Sequence, residues 1–390
     1  MHFFVSIIVT FCLILIILGN NKLSDNKTLF FIVSFSIILT SIGIDWLYQG
    51  LEEYHYITIR SIIFSITATF SIFIFIHNKN DYVIYAAISI LSSLGSSILN
   101  FIKARKIIFS KRTRPLNFNK HLRPLGVTYL MSFASSIYLQ LDTVMLGFLS
   151  TPINVGYYST STKLTKMFLS LISSIGTVLL PRLSYYIANN LRSEFDRMLK
   201  KSISIILLLC IPSVVSMMML SKEIIQLIAG SKYLPAASCV VITAPIIFFI
   251  GLTNIFGLQI LYPLGKERLV AISSIIGAFI SIGLNFFLIP HFTYVGAALT
   301  TLITEFVIFM MQFFMVRRIY PIAVPLRNLL KYIIATLFLI VLLIFVKIFF
   351  VSSLFRLMIA IPLGVILYFG LLIIMKEIFV QDIINRIRKV

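Results

Sequence analysis

Apolar residues run along this chain in stretches of about 17–25, each long enough as a helix to cross roughly 30 Å of hydrocarbon. Short polar connections separate them, and polar positions do not recur at every second residue. The pattern therefore predicts membrane-spanning helices and not the strands of a β-barrel. The predicted spans are 3–18, 29–48, 57–76, 83–102, 125–149, 157–180, 202–220, 236–262, 269–289, 297–316, 332–350 and 354–375. The expected fold class is an all-α integral membrane protein of about twelve such helices. Pro245, Gly251 and Gly257 interrupt the long eighth span, and a bend is expected there because proline removes an i→i−4 bond.

Cations between the spans set the expected orientation. The first basic connection holds Lys103, Arg105, Lys106, Lys111, Arg112, Arg114, Lys120 and Arg123 with no acid among them. Arg182, Arg192, Arg197, Lys200 and Lys201 follow, then Lys266 and Arg268, then Arg317, Arg318, Arg327 and Lys331, then Lys376, Arg386, Arg388 and Lys389. An even number of spans separates each group from the next, so all fall on one side. The loops between them are short and poor in cations. Because Lys and Arg accumulate in cytoplasmic loops, both termini are expected in the cytoplasm.

Composition agrees with this reading. Hydrophobic residues make up 59% and charged residues 12% of the sequence, and mean hydropathy is +1.03. A soluble domain cannot bury that apolar fraction. The net charge of +20 lies in short loops and not on one folded face with interleaved aromatics, which argues against nucleic-acid binding. Cys12, Cys210 and Cys239 are widely spaced in apolar runs, so they read as small buried hydrophobes; neither a disulfide framework, a metal site nor a cofactor is expected. The N-terminus opens straight into an apolar run without a basic region or small-residue cleavage site, unlike a signal peptide.

Internal similarity divides the chain. Leu47-Tyr48 with Gly50, Glu53 and Ser61-Ile62-Ile63 resembles Leu261-Tyr262 with Gly265, Glu267 and Ser274-Ile275-Ile276. Tyr82-Val83 with Ala86-Ala87 resembles Tyr294-Val295 with Ala297-Ala298, and all matches share an offset of about 213 residues. Spans one to four thus pair with spans seven to ten as parallel repeats, while spans five and six have no upstream partner. Two N-terminal helices are expected to be missing from the first bundle; a truly asymmetric protein is the alternative. The expected organisation is an N-terminal lobe of four helices over 1–102 and a basic linker over 103–124. A six-helix lobe over 125–316 follows, then two further helices and a basic tail over 317–390.

Polar residues inside spans are costly and mark candidate sites. In the sixth span Ser159, Lys163, Lys166, Ser170, Ser173 and Thr177 recur at helical spacing along one face. Lys163 is expected about 10 Å and Lys166 about 15 Å from the outer end. Lys163 either snorkels to the interface or faces an aqueous lumen, whereas Lys166 lies too deep to snorkel easily. In the fifth span Ser135, Tyr138 and Asp142 share a face. Asp142 lies near the depth of Lys163, and the two form either an interhelical ion pair or part of a coupling-ion site. Glu305 in the tenth span is protonated, paired with another helix, or a proton site. Ser89, Ser93, Ser96 and Asn100 in the fourth span read as a packing seam.

Two segments carry a resemblance. Gly43-Ile44-Asp45-Trp46-Leu47-Tyr48-Gln49-Gly50-Leu51-Glu52 resembles a signature of the polysaccharide and O-antigen flippases, within the superfamily of multidrug and lipid-linked oligosaccharide exporters. Gln140-Leu141-Asp142-Thr143-Val144-Met145-Leu146-Gly147 and Val155-Gly156-Tyr157-Tyr158 resemble a helix turn of the same superfamily. The resemblance marks Asp45, Trp46, Gly50 and Glu52 as motif residues. It implies two bundles in a V around an alternating-access cavity, which carries an undecaprenyl-pyrophosphate-linked oligosaccharide of an O-antigen, capsule or exopolysaccharide. Lys163, Lys166, Ser170 and Tyr138 would meet that substrate, and Asp142 and Glu305 would carry a coupling cation. The implied partners are the lipid-linked oligosaccharide, membrane lipids, and the polysaccharide polymerase and chain-length machinery. A membrane glycosyltransferase or polymerase would need acids or histidines converging on one side; His2, His55, His77, His121 and His291 are split between sides, so no enzyme is expected. A cation-coupled drug exporter and a non-transporting scaffold are the remaining alternatives.

Overall fold

The computed structural model describes residues 2–19, 27–40, 43–44, 47–48, 53–78, 81–108, 140–321, 325–377 and 379–381. Every regular element among them is helical, and eight helices are long and apolar enough to span a bilayer. The chain falls into two compact units, Met1–His121 and Leu122–Val390.

The first unit contains α1 (His2–Gly19), α2 (Lys27–Thr40), α3 (Tyr54–Phe75) and α4 (Tyr82–Ile108). α1 packs on α2, α2 on α4, and α3 on α4. The α3–α4 seam is close because Gly95 leaves room for Phe64: a Cβ there would lie 2.2 Å from the ring. Ser92 adds a hydroxyl bond to the Phe64 carbonyl at 3.1 Å. Part of the expected seam is displaced, since Ser89 and Ser93 are exposed and only Ser96 and Asn100 turn inward.

The second unit begins with the short α5 (Gln140–Leu149). α6 (Pro152–Ala188) follows, with proline in its first turn, where the missing N–H costs nothing. It runs past the predicted span and stops at Asn189-Asn190, where Asn190 takes the left-handed conformation (φ 57°). α7 (Arg192–Met219) and α8 (Ser221–Ala229) come next, and Gly230 ends α8 at φ 79°. The interrupted eighth span is broken as expected: α9 (Ala236–Thr243), α10 (Ile246–Asn254) and a π-helical turn over Ile255–Leu261.

Glu267–Ile319 follows as α11, 53 residues in all. At 1.5 Å per residue that is far longer than one crossing requires. It is two helices joined at a break, where Thr293 has φ 51° and ψ −125°. Gly296 makes the close return possible, because a Cβ on it would stand 2.2 Å from the Leu288 carbonyl oxygen. α12 (Leu326–Phe349) and α13 (Ser353–Ile374) form the last hairpin.

The core of this unit runs through α6, α7, α9, α10 and the π-helical turn, with Ile172, Ile206, Ile247, Ile255 and Leu261 buried together. The α12–α13 hairpin is fastened at its turn. Buried Glu223 of α8 pairs with Arg356 at 3.0 Å and Lys347 at 3.7 Å, while Arg356 also donates to the carbonyls of Phe350 and Lys347. At the opposite end Tyr332 donates to the fully buried Glu377 at 2.9 Å.

Candidate functional site

Four elements converge on one carboxylate in the second unit. Asp142 sits half-buried on α5. Ser281 donates to its Oδ1 at 2.8 Å and Asn285 Nδ2 at 2.6 Å. Thr301 donates to Oδ2 at 2.8 Å, and the Tyr158 hydroxyl of α6 lies 3.2 Å from the same oxygen. The break in α11 makes this possible, because Ser281 and Asn285 lie before it and Thr301 after it. Leu146, Tyr158, Cys239, Ile289, Ala297 and Ala298 surround the ring as a small buried apolar cluster.

Among the described residues, every group bonded to Asp142 is neutral. The interhelical Asp142–Lys163 ion pair, one of the two sequence readings, is not formed: Lys163 is exposed on α6 and has no acid partner among the described residues. Hydroxyls and an amide from α6 and the two arms of α11 occupy the carboxylate oxygens instead. The ring also holds an unused acceptor, since Asn285 Oδ1 is buried and receives no hydrogen bond. The two Asp142 carboxylate oxygens, the Ser281 and Thr301 hydroxyl oxygens and the Asn285 amide oxygen are hard ligands of total charge −1, which suit an alkali cation. No group of three or more His, Cys, Asp or Glu side chains is placed to hold a metal among the described residues.

The lysine stripe stands on the other side of α6. Lys163, Lys166, Ser170, Ser174 and Thr177 are exposed and Ser159 is half-exposed, while Ser173 turns partly inward. Tyr158, Ser161, Leu164, Thr165 and Ile172 form the buried face. The stripe's hydroxyls are already spent on their own helix: Ser170 donates to the Met167 carbonyl at 2.7 Å, Ser174 to Leu171 at 2.7 Å, and Thr177 to Ser173 at 3.1 Å. Such back-bonding satisfies the hydroxyl proton and leaves only lone pairs outward. Among the described residues, the two ammonium groups are therefore the free charged donors of this face.

Glu305 is half-buried one turn beyond Thr301 and is not among the groups bonded to Asp142. Tyr138 and the motif residues Asp45, Trp46, Gly50 and Glu52 lie outside the described residues. Their neighbours do form a cluster: Lys103 pairs with Glu53 at 2.5 Å and stands over the Tyr56 ring at 3.7 Å, while Tyr48 donates to the Asn100 carbonyl at 2.9 Å. Ser281, Asn285 and Thr301 were missed by the sequence reading. Ser281 and Asn285, four residues apart in an apolar run, were the available signal.

A third feature lies between α7, α12 and α13. A cavity of about 310 Å³ is lined by Phe168, Pro212, Met217, Leu343, Gly364 and Tyr368 among others, almost wholly apolar.

These elements define a multi-pass helical membrane protein with the fold of a known flippase. A solved structure of lipid II flippase MurJ in an inward closed conformation matches 92% of this chain and 75% of that one, at TM-score 0.72 and 21% identity. Residues 1–187 match the family described as polysaccharide biosynthesis protein. A "Putative O-antigen transporter" of Escherichia coli (strain K12) is 26% identical over 70% of this chain. The "Probable low-salt glycan biosynthesis flippase Agl15" of Haloferax volcanii is 24% identical over 54% of it. The matches span 66% and 42% of those two relatives' own lengths. The resemblance carried by the motifs agrees with these likenesses, which are to proteins named for polysaccharide biosynthesis, O-antigen transport and glycan flipping.

Proposed function

We propose that this chain flips a lipid-linked oligosaccharide across the bacterial inner membrane, its lysine stripe meeting the anionic head of the substrate while the Asp142 ring holds a coupling cation. The observation that carries this reading is the exposure of Lys163 and Lys166 on a membrane-length helix. A cation against acyl chains is costly, so such a face is stable only toward water or a polar ligand. In a low-dielectric cleft, two ammonium groups attract a pyrophosphate or an acidic sugar strongly. The apolar cavity beside α13 suits part of a hydrocarbon tail.

In this reading undecaprenyl pyrophosphate is the lipid, both termini are cytoplasmic, and a polymerase with its chain-length machinery receives the product. Glu305 is a second candidate for the coupling cation, one turn from Thr301 on α11.

The test is glycan display in cells lacking their own O-antigen transporter. Lys163→Ala with Lys166→Ala is expected to abolish display at unchanged protein level, with Lys166→Arg retaining it. Full display by the double alanine variant overturns the reading.

A further inference from the structure

We propose that Tyr158 is the positioning residue through which the Asp142 ring acts on the lysine-bearing helix; this rests on the reading of Asp142 as a cation site. Tyr158 and the lysine stripe occupy opposite sides of α6, five residues separating Tyr158 from Lys163. The Tyr158 side chain is buried, with 3% exposure. Its hydroxyl is the group by which α6 enters the ring; the other members come from α5 and the two arms of α11.

The hydroxyl protons can be counted. Tyr158 and Thr301 have one each. The oxygens within reach are Asp142 Oδ2, 2.8 Å from Thr301 and 3.2 Å from Tyr158, the Ala297 carbonyl, 2.9 Å from Thr301, and each other's oxygen at 2.9 Å. The shorter arrangement is a relay in which Tyr158 donates to Thr301 and Thr301 donates to Asp142. A cation coordinated by Asp142 Oδ2 and Thr301 Oγ1 needs lone pairs from both. Thr301 then turns its proton to the Ala297 carbonyl, the acceptor one helical turn back. The relay is cut, and Tyr158 is left to share oxygens already facing a cation. Its bond is redirected or weakened, and α6 loses one of its polar ties.

The second polar tie on that face, Thr165 Oγ1 to Thr243 Oγ1 at 3.1 Å, lies seven residues further along and touches none of the ring. Cation occupancy thus acts on α6 at one point, close to the lysines. The ring reports to the substrate face through a single phenol.

The experiment uses the full chain in liposomes with Cys12→Ser, leaving the buried Cys210 and Cys239 in place, and a reporter Met167→Cys on the exposed face. Labelling by an impermeant maleimide is measured in Na⁺ and in choline, alongside the thermal stability of each variant. With Tyr158 intact, Na⁺ is expected to stabilise the chain and change the labelling rate severalfold. Tyr158→Phe is expected to keep Na⁺ stabilisation, which also certifies its fold, and to lose the change in labelling. Thr165→Val is expected to keep both. A full Na⁺-dependent labelling change in Tyr158→Phe, or its equal loss in Thr165→Val, overturns the inference alone. Absence of Na⁺ stabilisation with Tyr158 intact overturns the cation reading and this inference together.

Discussion

Replacing Asp142 tests the ring most directly, because two substitutions should separate stability from cation binding. Asp142→Ala removes the acceptor of three donors, Ser281, Asn285 and Thr301. Thr301 falls back on the Ala297 carbonyl at 2.9 Å, and Tyr158 keeps the Thr301 oxygen at 2.9 Å. Asn285 Nδ2 keeps only the Ser281 hydroxyl at 3.3 Å, and Ser281 loses its acceptor in the ring. One or two orphaned donors at about 1–3 kcal/mol each give a loss of about 2–5 kcal/mol. Asp142→Asn behaves differently. Its amide oxygen can still accept from Asn285 and Ser281, and its amide nitrogen can donate to the Thr301 and Tyr158 oxygens. The neutral group also avoids the desolvation cost of a buried charge, so the stability change is expected to stay below about 2 kcal/mol. Both substitutions remove the only formal charge on the ring. A cation at a hundredfold excess over its Kd stabilises the native state by about 2.7 kcal/mol, and that increment should vanish in both variants. The assay is thermal unfolding in detergent with Na⁺ titrated against choline. Na⁺ stabilisation of Asp142→Asn equal to that of the unaltered chain would refute the reasoning.

Three further outcomes follow from the geometry. Gly296→Ala drives a Cβ into the Leu288 carbonyl and is expected to cost about 1–3 kcal/mol and to blunt Na⁺ stabilisation; Gly283→Ala, which meets nothing within 4 Å, should be neutral or slightly stabilising in the same melting assay. Arg356→Met leaves buried Glu223 with Lys347 alone at 3.7 Å and should cost about 3–5 kcal/mol, with most of the loss recovered by adding Glu223→Leu; equal melting temperatures for all three chains would argue against the clip. The Asp81 carboxylate accepts from the His77 and Asn78 backbone N–H groups, which hold its pKa below the usual carboxylate range. Because the folded value is the lower one, amide protection at His77 and Asn78 should persist at neutral pH and be lost as pH falls through that depressed value; hydrogen exchange reads it, and Asp81→Asn should remove the pH dependence.

Much of the fold could be read from the residues. Continuous Ile, Leu and Phe runs predict membrane helices regardless of what they pack against, and the break at Pro245 follows from a missing N–H. Helix lengths were less legible. α6 continues through Pro181 and Arg182 to Ala188 because nothing stops a helix on leaving hydrocarbon until Asn190 turns left-handed. The lysine stripe was visible from spacing on one helix. The Asp142 ring was only half visible: its carboxylate stood out in an apolar run, but Ser281, Asn285 and Thr301 did not. Small polar residues in such helices are commonly satisfied by their own backbone, as Ser170 and Ser174 are here, so their presence alone carries little information. What joins them is the reversal at Thr293, which depends on tertiary packing around Gly296.

The back-bonded hydroxyls of α6 have a consequence for selectivity. A surface whose serines and threonine have turned their protons inward cannot grade one pyranose against another by hydroxyl configuration. It offers two exposed positive points and a smooth carpet of weak acceptors. If the chain acts as proposed, its cargo would be sorted by ionic group rather than by stereochemistry, and a carrier built on this face should tolerate many repeat units that share an acidic or phosphorylated anchor.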